Sequence, residues 1–156
     1  MRNIFSSWIT SKAIDDKSII LIVNDIGFET FDNFRMKCPD RFFNFGVCEQ
    51  SMIGASAGMA LSGLKPYVFG ITPFVCERPF EQLKIDVGLN HANVKIIGYD
   101  DYPTQGSTHA MMDEGRYMQS FKTIDSYFPT TKEDVINSLD TSYNKENPTF
   151  IRLKKL

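Results

Sequence analysis

Long apolar runs are missing from this sequence. The longest, Ile19 to Val23, is far shorter than the ~20 residues a membrane-spanning helix needs. The opening stretch MRNIFSSWITSKAIDD has no continuous apolar segment and reads as an amphipathic helix, not a signal peptide. Cysteine is sparse. Cys38, Cys48 and Cys76 lie at no metal-binding spacing, and their odd number favours free or buried thiols in a reducing compartment. A cytoplasmic location is therefore expected. Charge of one sign is also lacking, since 17 Lys and Arg against 19 Asp and Glu leave a net charge of −2. With no basic patch or acidic tail, neither nucleic acid nor a membrane is an expected partner. No repeat, low-complexity tract or linker divides the chain, so a single domain over residues 1–156 is expected.

Aromatic and thioether side chains, by contrast, are plentiful, with 13 phenylalanines and seven methionines. They suit either a core or a large subunit interface. Ser18 to Val23 is a continuous aliphatic run of the kind buried on both faces of a parallel sheet. Further short strands are predicted over 42–45, 65–70, 94–98, 123–127 and 148–153, with helical segments between them. The first fifteen residues read as a helix, and Phe28, Phe31 and Phe34 suggest a short second one. Residues 74–89 read as one broad helix with Pro79 near its first turn, and Thr131 with Asp134 resembles a capping box. No Asn-Gly hairpin signal interrupts the alternation. The fold class is thus α/β: a doubly wound, mainly parallel six-stranded sheet with helices on both faces.

The most informative stretch is RFFNFGVCEQSMIGASAGMALSGL, from Arg41 to Leu64. A short strand ends at Gly46, and Glu49 opens a helix in which Gly54, Ala57 and Gly58 are small. Taken alone, Glu49 is a first-turn acid favoured by the helix dipole. The small residues mean that something packs very close to this helix. Asp25 ends the first strand, where open α/β sheets bind ligands, or caps the segment starting at Gly27. Phe74 is core, or the aromatic face for a flat ligand. Arg78 pairs with Glu77 or Glu81 on its own surface, or binds an anionic substrate group. A loop histidine such as His91 or His109 is by itself an ordinary solvated residue.

Taken together, these strings resemble the pyrimidine-binding domain of transketolase and its thiamine-diphosphate relatives. The matching segments are Gly46-Val47-Cys48-Glu49-Gln50 with its small-residue helix, Thr72-Pro73-Phe74 leading to Phe80-Glu81-Gln82, and Gly106-Ser107-Thr108-His109. The resemblance implies that Glu49 is catalytic, hydrogen-bonding N1′ of the cofactor's aminopyrimidine. It implies that Asp25, Ile71, Phe74 and His109 bind cofactor, and that Gln105 and His109 contact substrate. Three features depart from the family pattern: Ile71 replaces a stacking aromatic, Gln105 replaces an aspartate that reads a substrate hydroxyl, and the loop between Gly98 and His109 is shorter. Gly-Asp-Gly, the start of the family's diphosphate and metal motif, is absent. The resemblance therefore implies a split enzyme. A separate diphosphate-binding subunit would hold most of the thiamine diphosphate anchor and its Mg²⁺ or Ca²⁺. The small-residue helix would pair two copies of this chain within an α₂β₂ assembly acting on a small sugar or sugar phosphate. Two alternatives stay open. One is a catalytically silent scaffold or regulatory subunit. The other is a partner subunit of a 1-deoxyxylulose-5-phosphate-synthase-like or 2-oxoacid-decarboxylating enzyme.

Overall fold

The computed structural model describes residues 1–100, 106–110 and 113–155. Among these residues, six strands form one sheet in the order β2-β1-β3-β4-β6-β5. They are β1 (Ile19–Val23), β2 (Phe42–Asn44), β3 (Lys65–Ile71), β4 (Lys95–Asp100), β5 (Asp125–Tyr127) and β6 (Thr149–Lys154). Every neighbouring pair is parallel. All five β1 side chains are buried, as expected for an aliphatic run covered on both faces.

The helices make the two covers. On one face α1 (Arg2–Asp15), α2 (Asp32–Lys37) and α7 (Lys132–Asn144) bury Phe5, Ile9, Phe34 and Leu139 with Tyr67 and Phe69 of β3. On the other, α3 (Glu49–Leu61), α4 (Thr72–Cys76) and α5 (Phe80–Gln82) close over Met52, Ile53, Val68, Val75 and Ile96. The short α6 (Glu114–Met118) is capped by Asp113, whose carboxylate accepts the Arg116 N–H at 2.9 Å. The capping box at Thr131 and Asp134 is present at the start of α7.

The structure departs locally from the sequence pattern in two places. The single helix predicted over 74–89 is broken: α4 ends at Cys76, and the chain restarts at Phe80 and runs into a π-helix at Leu83–Leu89. Pro79, which has no N–H to donate, stands at the restart. Arg78 is thereby placed in the break between the two helices. The second departure concerns the small residues of α3, part of whose close packing lies within the chain. Ala57 is buried, and a Cβ at Gly54 would lie 3.4 Å from Asp86 of the π-helix. Gly58 alone of these three faces open space.

Strand order reverses between β1 and β3: β2 lies on one side of β1, and β3 with the later strands lies on the other. In open α/β sheets ligands bind beyond the carboxyl ends of the strands at such a reversal. Asn24 and Asp25 follow β1 there, and Thr72 to Phe74 follow β3.

Candidate functional site

Glu49 is the first residue of α3, where the dipole favours a carboxylate. Its setting is not that of a surface acid, because only 5% of it is exposed. A buried carboxylate needs donors, and two side chains supply them. Asn24 Nδ2 donates to Glu49 Oε1 at 3.0 Å, and Arg78 Nη1 donates to the same oxygen at 2.7 Å. Arg78 therefore pairs with neither Glu77 nor Glu81, as local spacing suggests, but with an acid 29 residues away. The break before Pro79 lets it reach across.

The same guanidinium lies against Phe74, with its central carbon 3.7 Å from the ring centroid. Phe74 is half-buried on α4. Its ring meets the imidazole of His109 edge to face at a centroid distance of 4.8 Å. Thr108 Oγ1 is 3.2 Å from His109 Nδ1. Glu49, Arg78, Phe74 and His109 thus form one continuous chain of contacts.

Ile71 is the last residue of β3 and is buried at 7% exposure. Asp25 stands apart from Glu49 in its bonding. It is exposed, sits at a left-handed φ of 61°, and pairs with Asn44 of β2. The Asp25 N–H donates to Asn44 Oδ1 at 2.9 Å, and Asn44 Nδ2 donates to Asp25 Oδ1 at 3.3 Å. No helix follows directly for it to cap, since α2 begins only at Asp32. Gln105 lies outside the described residues. His91 is exposed in the turn after the π-helix.

Sequence reasoning passes over Asn24. It is 5% exposed, and its Oδ1 has no hydrogen-bond partner among the described residues. The available signal is Gly70. A Cβ there would lie 2.6 Å from Asn24 Oδ1 and 2.5 Å from Val75 Cγ1, so only glycine admits both side chains.

The group this arrangement suits can be read from what already fills it. A planar, cationic set of N–H donors lies on the Phe74 face and reaches into the Glu49 carboxylate. A flat nitrogen heterocycle with a basic ring nitrogen or exocyclic amine presents the same combination of face and edge. The residues present therefore fit an aminopyrimidine.

The family model for the transketolase pyrimidine binding domain matches residues 1–156. The chain belongs to that family. Among curated relatives, a subunit of an apulose-4-phosphate transketolase from Actinobacillus succinogenes is 35% identical over 123 residues, covering 77% of this chain and 40% of that protein. Its Phocaeicola vulgatus counterpart is 28% identical, covering 97% and 50%. A 1-deoxy-D-xylulose-5-phosphate synthase from Idiomarina loihiensis is also 28% identical, but the match covers only 24% of that enzyme. The chain thus spans half or less of the length of these relatives. A split-gene transketolase solved as an inactive beta4 tetramer superposes with a TM-score of 0.87 at 23% identity, over 98% of this chain and 50% of that one. That likeness establishes the fold. Among the described residues, no helix is long and apolar enough to cross a membrane.

Proposed function

We propose that this chain is the pyrimidine-binding subunit of a two-component, transketolase-like enzyme that transfers a two-carbon ketol unit with thiamine diphosphate. The observation that carries the reading is the buried Glu49 carboxylate facing Phe74, with a planar donor now held between them. Its support from relatives is that two proteins named as transketolase subunits are similar along most of this chain.

When bound, thiamine diphosphate supplies the carbanion chemistry of the reaction. The chain's own residues bind and orient. Glu49 holds a hydrogen-bonding proton against the ring nitrogen N1′, and its burial gives that contact a water-poor setting. Phe74 would offer the aromatic face, and Ile71, at the end of β3, stands where the family commonly has a second aromatic. His109, in edge contact with Phe74, would contact cofactor and substrate, with Gln105 close to it in sequence. Asp25, held by Asn44, follows β1 at the same strand-order reversal and would approach the cofactor from there. The diphosphate and its Mg²⁺ or Ca²⁺ belong mainly to the partner subunit, because this sequence carries no Gly-Asp-Gly motif.

A self-dimer within an α₂β₂ assembly completes the proposal. Its support is exposed apolar side chains on α3 and the π-helix, with Leu61 and Leu89 62% and 73% exposed, and open space at Gly58 of α3. Residues 1–156 act as one pyrimidine-binding domain in a cytoplasmic enzyme of carbohydrate metabolism. The substrate is a small sugar or sugar phosphate.

The departures from the family pattern at Ile71 and Gln105 favour the rival reading of a silent scaffold. Calorimetry with thiamine diphosphate and Mg²⁺ separates the two. The free chain is expected to bind negligibly, and the chain mixed with a diphosphate-binding subunit is expected to bind at micromolar concentration or better. Tight binding by the free chain contradicts the split arrangement. No binding by the reconstituted pair favours the scaffold.

A further inference from the structure

Two donors share one oxygen of Glu49, and they are held in different ways. Arg78 is 38% exposed along its side chain, lies in a break between helices, and covers the face of Phe74 that the proposed ligand would need. A flat ring cannot take that face while the guanidinium is on it. Asn24 has no such freedom. It is 5% exposed, follows directly on the five buried residues of β1, and lies so close to Gly70 that a Cβ there would be 2.6 Å from its Oδ1. Its orientation is fixed by chemistry as well, since a carboxylate accepts only from Nδ2, not from Oδ1. Among the described residues, both donors reach Oε1 and neither reaches Oε2.

We propose that Asn24 is the positioning residue for Glu49: its amide pins Oε1 once Arg78 has been displaced, and so turns Oε2 to the ligand. This rests on the reading of Glu49 given above. Arg78 is then the exchangeable partner of the carboxylate, and Asn24 the permanent one. An amide suits the task because it donates at every pH and adds no second charge. An aspartate in its place would set two carboxylates against each other in a dry site, so that no donor reaches Glu49 while both are ionised, and a proton returns at a pH above the usual carboxylate range.

The test uses the chain reconstituted with its diphosphate-binding partner, together with crystals of the free chain. In the complex, Asn24→Ala should slow deuterium exchange at C2 of bound thiamine diphosphate about tenfold, while the dissociation constant changes by less than about threefold. Asn24→Asp keeps the side-chain volume, and so carries the test even where the alanine variant does not fold. Its exchange should be slow at neutral pH and recover towards pH ~5, where a protonated carboxyl donates as the amide does. In crystals of the free Asn24→Ala chain, Glu49 should leave its present rotamer or spread over several. Wild-type exchange in Asn24→Ala, with Glu49 unmoved, overturns the proposal, as does an Asn24→Asp pH profile identical to wild type. Both results are distinct from failure of the underlying reading, in which Glu49→Gln itself exchanges at the wild-type rate.

Discussion

Arg78 stacks on Phe74, its guanidinium carbon 3.7 Å from the ring centroid, while its Nη1 donates to Glu49 at 2.7 Å. One side chain thereby meets both demands that the site would make of a flat nitrogenous ring. The pair gives Glu49 a partner in the free chain, where a lone buried charge would be costly. It also sets a toll on ligand entry, because the stack must open first.

Removing the guanidinium should lower that toll. In the reconstituted complex, Arg78→Ala is expected to tighten thiamine diphosphate binding by up to about tenfold, the scale of one desolvated cation–π contact. Calorimetry measures this directly. Weaker binding in the variant would show that Arg78 holds the ligand instead of standing in for it.

Phe74→Ala should have the opposite effect. The aromatic face is lost along with the stacking partner of Arg78 and the edge contact to His109. Cofactor affinity should fall about tenfold, with a smaller change in kcat at saturating cofactor. Unchanged affinity would place the ring away from Phe74.

Gly58 tests the assembly. A Cβ there meets nothing within 4 Å among the described residues, so Gly58→Leu should leave the fold and its melting temperature nearly unchanged. The small-residue helix of a self-dimer would nonetheless be blocked. Light scattering should show dimer for wild type and monomer for the variant. A dimeric variant would move the two-fold contact to another face.

Stability at acid pH should depend on Asp16, which ties β3 and α7 to the end of α1. It accepts from Lys65 Nζ at 2.9 Å, from Tyr143 Oη at 3.0 Å and from the Ser18 N–H at 2.9 Å. Burial works to raise its pKa, but the hydrogen bonds from Ser18, Lys65 and Tyr143 outweigh it and hold the carboxyl well below the usual carboxylate range. A depressed pKa means stability that is fully present above the unfolded value near 3.9 and is lost as pH falls below it. Asp16→Asn should cost about 2 kcal/mol at neutral pH and flatten the fall in Tm between pH ~4 and ~2. An unchanged acid limb would assign that loss of stability to other carboxylates.

Local pattern carries much of the fold. Five aliphatic residues in β1 are satisfied only by cover on both faces, and Thr131 with Asp134 has one plausible geometry. Glu49 stands out because a distinctive string surrounds it, not because of its position in a helix. Its partners are hidden for physical reasons. Asn24 next to Asp25 reads as turn chemistry after a strand, and nothing nearby shows that its side chain turns inward to a residue 25 positions on. Arg78 has acids one and three residues away, so local rules pair it there. The break at Pro79, which redirects it to Glu49, is a tertiary event. The small residues of α3 suggest a surface for another subunit, and Gly54 proves to make room for the chain's own π-helix.

The central claim is that Glu49 activates the cofactor, and C2 deuterium exchange of bound thiamine diphosphate tests it most directly. Glutamine has nearly the shape of glutamate and can still hydrogen-bond N1′, but it carries no charge and cannot hold the proton in the same way. In the reconstituted complex, Glu49→Gln should bind cofactor almost as wild type does and exchange roughly 10²-fold more slowly or worse. Equal exchange rates in the two proteins would contradict the account and leave Glu49 a buried structural acid at the start of its helix.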